Sequence, residues 1–119
     1  MILLDTHALV WLLSGHRRAR RLPARARLFV SPVSLLEIRT LEEIGRFDVS
    51  RSGPLEDDTR FTIDDPSSMA LFEAAVDLPW TRDPFDRLIV GHALMRGWKL
   101  ATADSRIHEH LPANAIVEI

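Results

Sequence analysis

The chain has 119 residues, 46% of them apolar, which excludes a disordered segment and is the length of one domain able to bury a core of its own. It has no cysteine, so disulfides and thiolate zinc sites are excluded and a reducing, cytoplasmic setting is expected. The net charge of −2 rules out a global basic field, and no apolar run reaches the ~18 residues of a membrane span. "MILLD" lacks a basic leader region, so a soluble chain that keeps its N-terminus is expected.

"MILL" is a short continuous apolar run ending at Asp5, which predicts a strand buried on both faces. "THALVWLLSG" predicts a helix closed by Ser14 and Gly15. An arginine-rich segment follows, with Arg17, Arg18, Arg20, Arg21, Arg25 and Arg27. It suits phosphates or, as the cluster alone favours, a solvated helix face or a surface that docks an acidic partner. "LFV" predicts a second strand, and Ser31-Pro32 then starts a helix running to Gly45, with serine as N-cap and proline at the first helical position. "GRFDVSRSGPLEDD" is loop-like, and "RFTI" predicts a brief strand. Acids crowd here, as Glu56, Asp57, Asp58, Asp64 and Asp65. Asp65-Pro66 starts a helix through about Asp77, and Asp83-Pro84 the next, ending at Gly97. "WKLATA" and "AIVEI" predict the last two strands, with a short helix between them. Strands alternating with helices define an α/β domain, a three-layer α/β/α arrangement about a mainly parallel sheet, over residues 1–119.

Ligands of open parallel sheets bind beyond the carboxyl ends of the strands. Asp5 follows the first strand and Asp104 lies just past "KLATA"; taken singly, each is well explained as a helix cap. Glu37 is harder to explain that way. Its helical neighbours are Val33, Ser34, Thr40 and Leu41, and no cation stands where a surface ion pair needs one. A carboxylate in such company should be neutral or strongly partnered. Asp83 suits an N-cap and Asp86 the third helical position, but Ile89 and Val90 turn Asp86 toward the core side. Asp83 is therefore assigned to capping and Asp86 to chemistry. Two carboxylates ~5 Å apart repel by roughly 3 kcal/mol at an effective dielectric of 20. If Asp5, Glu37, Asp86 and Asp104 converge, they need a cation or raised pKa values. An all-oxygen site suits Mg²⁺ or Mn²⁺, ions that bind phosphate oxygens and activate water for attack on a phosphodiester.

In this order, "LLDTHALVWLLSG", "VSPVSLLEI", "RDPFDRLIVGHAL" and "TADSRI" resemble the PIN domain, specifically the toxin ribonucleases of bacterial VapBC-type toxin–antitoxin pairs. The resemblance spans essentially the whole chain; its first and third motifs together are specific, the other two weak alone. It implies that Asp5, Glu37, Asp86 and Asp104 are the acids of the site, with Thr6 and Thr102 as polar support. It further implies metal-dependent endonucleolytic cleavage of RNA, a homodimer, and an antitoxin that covers the site. The segment between Leu13 and Phe29 is short for the family, and 51–65 is unusually acidic and weakly helical. His92 stands where a small or amide residue is common, which leaves a core histidine, the favoured reading, or a polar neighbour of the metal site.

Arg87, Arg17 and Arg18 are candidate RNA contacts, and Arg87 could instead pair with a site acid. His108 and His110 cannot share one helix face and are read as surface rather than as zinc ligands. Trp11 and Trp98 are read as core. Trp80 suits base stacking or, the commoner role, packing in a dimer contact. Two other readings compete with the ribonuclease: a catalytically silent PIN-like module that binds RNA or protein, and a haloacid-dehalogenase-like phosphatase. The phosphatase needs a second acid two residues after Asp5, where His7 stands.

Overall fold

A computed structural model describes residues 1–119. Five strands, β1 (Ile2–Leu4), β2 (Leu28–Val30), β3 (Thr62–Ile63), β4 (Lys99–Thr102) and β5 (Ile116–Glu118), form one sheet in the order β3-β2-β1-β4-β5. Every pairing is parallel, with Leu4 level with Val30 on one side and with Ala101 on the other. The expected mainly parallel sheet is thus wholly parallel. The central strand explains why its sequence is apolar without alternation. Ile2 and Leu4 enter one core cluster with Leu9, Val30 and Ala101, while Leu3 enters a second with Phe29, Val90 and Leu100. Both faces are covered, so every residue of β1 must be apolar.

Helices α1 (Thr6–Ser14), α2 (Pro32–Glu43), α3 (Ser68–Val76), α4 (Pro84–Arg96) and α5 (Ser105–His110) supply the outer layers. Leu9 of α1 and Ile38 of α2 pack into the first cluster, and Ile89, Val90 and Ala93 of α4 with Ile107 of α5 into the second. Side chains of Asp5, Ser31, Ser67, Asp83 and Asp104 cap the five helices by accepting backbone N–H groups of the first turn. Gly97 ends α4 at φ 67°, the left-handed conformation a glycine C-cap supplies cheaply.

The start of α3 differs from the expectation. Ser67, not Asp65, is its N-cap, because Asp64 is drawn into an ion pair with α4 that carries the chain past Asp65 and Pro66 before the helix begins. The short arginine segment holds a single 3₁₀ turn (Arg17–Arg21), and the acidic stretch holds two (Ser50–Ser52 and Leu55–Asp57). No helix is long and apolar enough to cross a membrane.

Candidate active site

The pairing of β1 with β4 builds the site. Asp5 directly follows β1, and its N–H donates to the Ala101 carbonyl of β4 at 3.1 Å. Two residues past β4 stands Asp104, whose N–H donates to Thr102 Oγ1 at 3.1 Å. Both acids therefore sit at the carboxyl edge of the sheet, on adjacent strands. Glu37 arrives from α2 and Asp86 from the first turn of α4. All four, with Thr6, line one cavity of about 320 Å³.

This enclosure raises three of the carboxyls. Burial is the main cause for Asp5, opposed by hydrogen bonds from Thr102 and from the Ala8 N–H and reinforced by the charge of Asp104. Burial also leads for Glu37; a hydrogen bond from Thr6 opposes it, and the charges of Asp83 and Asp5 add to it. Asp86 is pushed up to about 7, first by burial and then by the charges of Asp83, Asp104, Glu37 and Asp5. The charges of these neighbouring acids make the cavity an anionic well, and a cation entering it would relieve the repulsion.

The donor set fits a hard divalent ion, since it is all carboxylate and hydroxyl oxygen. No three of the acids converge closely enough to grip one ion directly. Asp5, Glu37, Asp86 and Asp104 are the residues that would hold such an ion.

Of the five cavity residues not singled out as site residues by their sequence, Asp83, His7 and Trp11 carry polar or aromatic side chains. Asp83 caps α4 as expected, its Oδ1 accepting from the Phe85 N–H at 2.9 Å, yet it also borders the well. His7 and Trp11 line it too. Their i, i+4 spacing on α1, one turn beyond Asp5, was the available signal. Trp11 is accordingly half-buried rather than core, with the Arg18 guanidinium 4.9 Å from its ring centroid and His16 stacked at 5.4 Å. Arg18 thus sits against a wall residue of the cavity without lining it, while Arg17 is exposed on the same turn. Arg87 does not line the cavity; its Nε donates to the Thr81 carbonyl at 2.7 Å.

His92 also lies away from the acids. It is fully buried, with Nε2 2.7 Å from Asp64 Oδ2, and Arg96 binds the same carboxylate. This is the core-histidine reading. Trp98 is half-buried and stacks on Phe29 at 4.2 Å. Trp80 stacks on His110 at 4.6 Å, a packing role, and His108 Nε2 donates to the Thr102 carbonyl at 3.0 Å. His108 and His110 therefore have separate partners, as expected of surface residues rather than ligands.

A wholly parallel sheet with acids gathered beyond β1 and β4 defines an α/β protein with an acidic cavity at its carboxyl edge. Residues 2–111 match the model of the PIN domain, and the chain belongs to that family. It is 29% identical over 119 aligned residues to Ribonuclease VapC22 of Mycobacterium tuberculosis, across 92% of this chain and 91% of that protein. Its fold is similar to that of a chain in a toxin–antitoxin complex from Klebsiella pneumoniae, with a TM-score of 0.71 and 22% identity over 99% of this chain and 97% of the other.

Proposed function

We propose that residues 1–119 form a single nuclease domain, a Mg²⁺- or Mn²⁺-dependent endoribonuclease that serves as the toxin of a toxin–antitoxin pair in the cytoplasm. The observation that carries this reading is the convergence of Asp5, Glu37, Asp86 and Asp104 in one cavity at the carboxyl edge of the sheet. Membership of the PIN family and likeness to a VapC ribonuclease support the RNA substrate. The antitoxin partner rests on the same resemblance and on the toxin–antitoxin complex of similar fold.

A divalent ion bound here would neutralise phosphate oxygens and acidify a water for in-line attack on the phosphodiester. The chain's own groups prepare for this. Thr102 and the Ala8 N–H fix the Asp5 carboxylate, and Thr6 steadies Glu37. Asp86, whose pKa burial and the neighbouring acids raise, is the group whose proton a bound cation would displace. Arg18, held over Trp11, is the assigned phosphate contact, with Arg17 extending the positive edge along the RNA. Arg87 is left to position the loop before α4.

The homodimer is assigned to the outer face of α3. Met69, Phe72 and Val76 are 68%, 57% and 68% exposed there, at the i, i+3, i+7 spacing of one helical stripe.

The test is cleavage of cellular RNA by purified protein with Mn²⁺ or Mg²⁺, beside Asp86→Asn prepared identically and a third arm with EDTA. Cleavage lost in both controls supports the metal ribonuclease. Tight RNA binding without turnover under saturating Mn²⁺ would instead mark a binding module.

A further inference from the structure

The other end of the sheet carries a feature that the acid cavity does not use. Strand β3 is an edge strand. The Asp64 N–H donates to the Val30 carbonyl at 2.9 Å, and strand alternation then turns the N–H and C=O of Ile63 outward, away from β2. Beside this unpaired backbone lies a second cavity, of about 570 Å³, between the start of α2 and the acidic 3₁₀ turn. Leu35, Leu55, Phe61 and Ile63 make its floor, and Glu56 and Asp65 stand on its rim with no Lys or Arg among the lining residues.

The acids of this region divide into two sets. Asp58 is neutralised by Arg60 at 2.6 Å, and Asp64 by Arg96 at 2.8 Å. Glu56, Asp57 and Asp65 have no ion pair, and of these Glu56 and Asp65 line the groove. The two rim carboxylates are therefore left uncompensated at the place where the backbone edge is open and the floor is apolar.

We infer that this groove binds an extended segment of a partner protein in which apolar residues alternate with arginine or lysine. The segment adds a strand to β3 through Ile63, since main-chain hydrogen bonds supply affinity in strand addition while alternate side chains supply specificity. Its apolar side chains enter the groove, and its cations meet Glu56 and Asp65. The inference is independent of the nuclease reading, because the groove shares no residue with the acid cavity.

The probe is a fluorescein-labelled peptide alternating arginine with valine, followed by anisotropy at low salt. Binding should weaken about tenfold in Glu56→Gln/Asp65→Asn, where both rim charges are lost, and fade as salt is raised. It should persist in Glu37→Gln/Asp86→Asn, which weakens the competing anionic well, and a peptide alternating glutamate with valine should not bind. Exchange of the Ile63 amide should slow in the complex. Absence of binding overturns the inference, as does binding that is lost in the acid-cavity variant and kept in the rim variant. A rim variant that changes the sedimentation of the free protein while leaving peptide affinity untouched assigns the groove to a second copy, and also overturns it.

Discussion

Thr102 binds Asp104 through the backbone and Asp5 through the side chain: its Oγ1 accepts the Asp104 N–H at 3.1 Å, which leaves the hydroxyl proton free to donate to Asp5. One hydroxyl thereby fixes the positions of two acids from adjacent strands. Thr102→Val keeps the shape and removes both bonds. The expected cost is about 1–3 kcal/mol of stability, together with a further rise in the Asp5 pKa and weaker Mn²⁺ binding. Thr102→Ser should recover most of both. Urea unfolding and calorimetric Mn²⁺ titration of the two variants check this; a Val variant equal to wild type in both would remove the role given to Thr102.

The raised carboxyls make stability depend on pH with a defined sign. Asp86 titrates near 3.8 when unfolded and near 7 when folded, so between those values the folded chain binds more protons than the unfolded one. Metal-free protein should therefore lose stability as pH rises from about 4 to about 7 and then level off, with Asp5 and Glu37 acting in the same direction. Asp86→Asn should flatten the slope, and Mn²⁺ should abolish it by favouring the ionised form. Urea midpoints across this range, with EDTA or with Mn²⁺, give the answer. A midpoint in EDTA that rises with pH would contradict the enclosure of Asp86.

Much of this arrangement could be read directly from the residues. The unbroken apolar run of β1, the Ser31-Pro32 and Asp83-Pro84 starts and the closing Gly97 each carry local chemistry that dictates one conformation, and all four took it. The four acids were legible because two of them lie at strand ends and Glu37 lacks a local partner. What was not legible depends on distant contacts. Ser67 replaces Asp65 as a cap because of Asp64's bond to His92, 28 positions away in sequence. Trp11 leaves the core because the arginine turn folds back over it. Asp83 borders the well because an N-cap at the mouth of α4 also faces the end of β4, a coincidence of packing that no local pattern encodes.

The bond between His92 and Asp64 ties α4, which bears Asp86, to the end of β3. His92 is fully buried, so removing its carboxylate partner leaves a buried ring N–H without an acceptor. Asp64→Ala should cost about 3 kcal/mol, in the range for breaking one side of a buried pair. Asp64→Asn should cost less, since its amide oxygen still accepts from His92 while the charge facing Arg96 is lost. Because burial of Asp64 is outweighed by its bonds to His92 and Arg96, its pKa is lowered. Its contribution is therefore present above the ordinary carboxyl range and lost as pH falls below it. Equal urea midpoints for the Ala and Asn variants would count against the hydrogen-bond argument.

Gly91 sets the distance between α3 and α4. A Cβ placed there would lie 3.0 Å from both the Ala74 carbonyl carbon and the Ala75 nitrogen. Both are backbone atoms, so the helices themselves must move apart. Gly91→Ala should destabilise by about 1–3 kcal/mol despite alanine's better helix propensity. Thermal unfolding measures it. A stabilised variant would show that the helices separate freely and that the close approach is not required.

Phe72 is the test of self-association. It lies at the centre of the exposed α3 stripe, 57% accessible, flanked by Met69 and Val76. A glutamate there adds charge to the stripe without entering the core, so Phe72→Glu should leave the unfolding midpoint near wild type while shifting sedimentation from dimer to monomer. The acid cavity receives no residue from this face, so RNA cleavage per chain should persist in the monomer. If Phe72→Glu remained a dimer, the interface would have to lie elsewhere. If it became monomeric and inactive, the second copy would be required for RNA binding, which would place the substrate across the dimer rather than on one subunit.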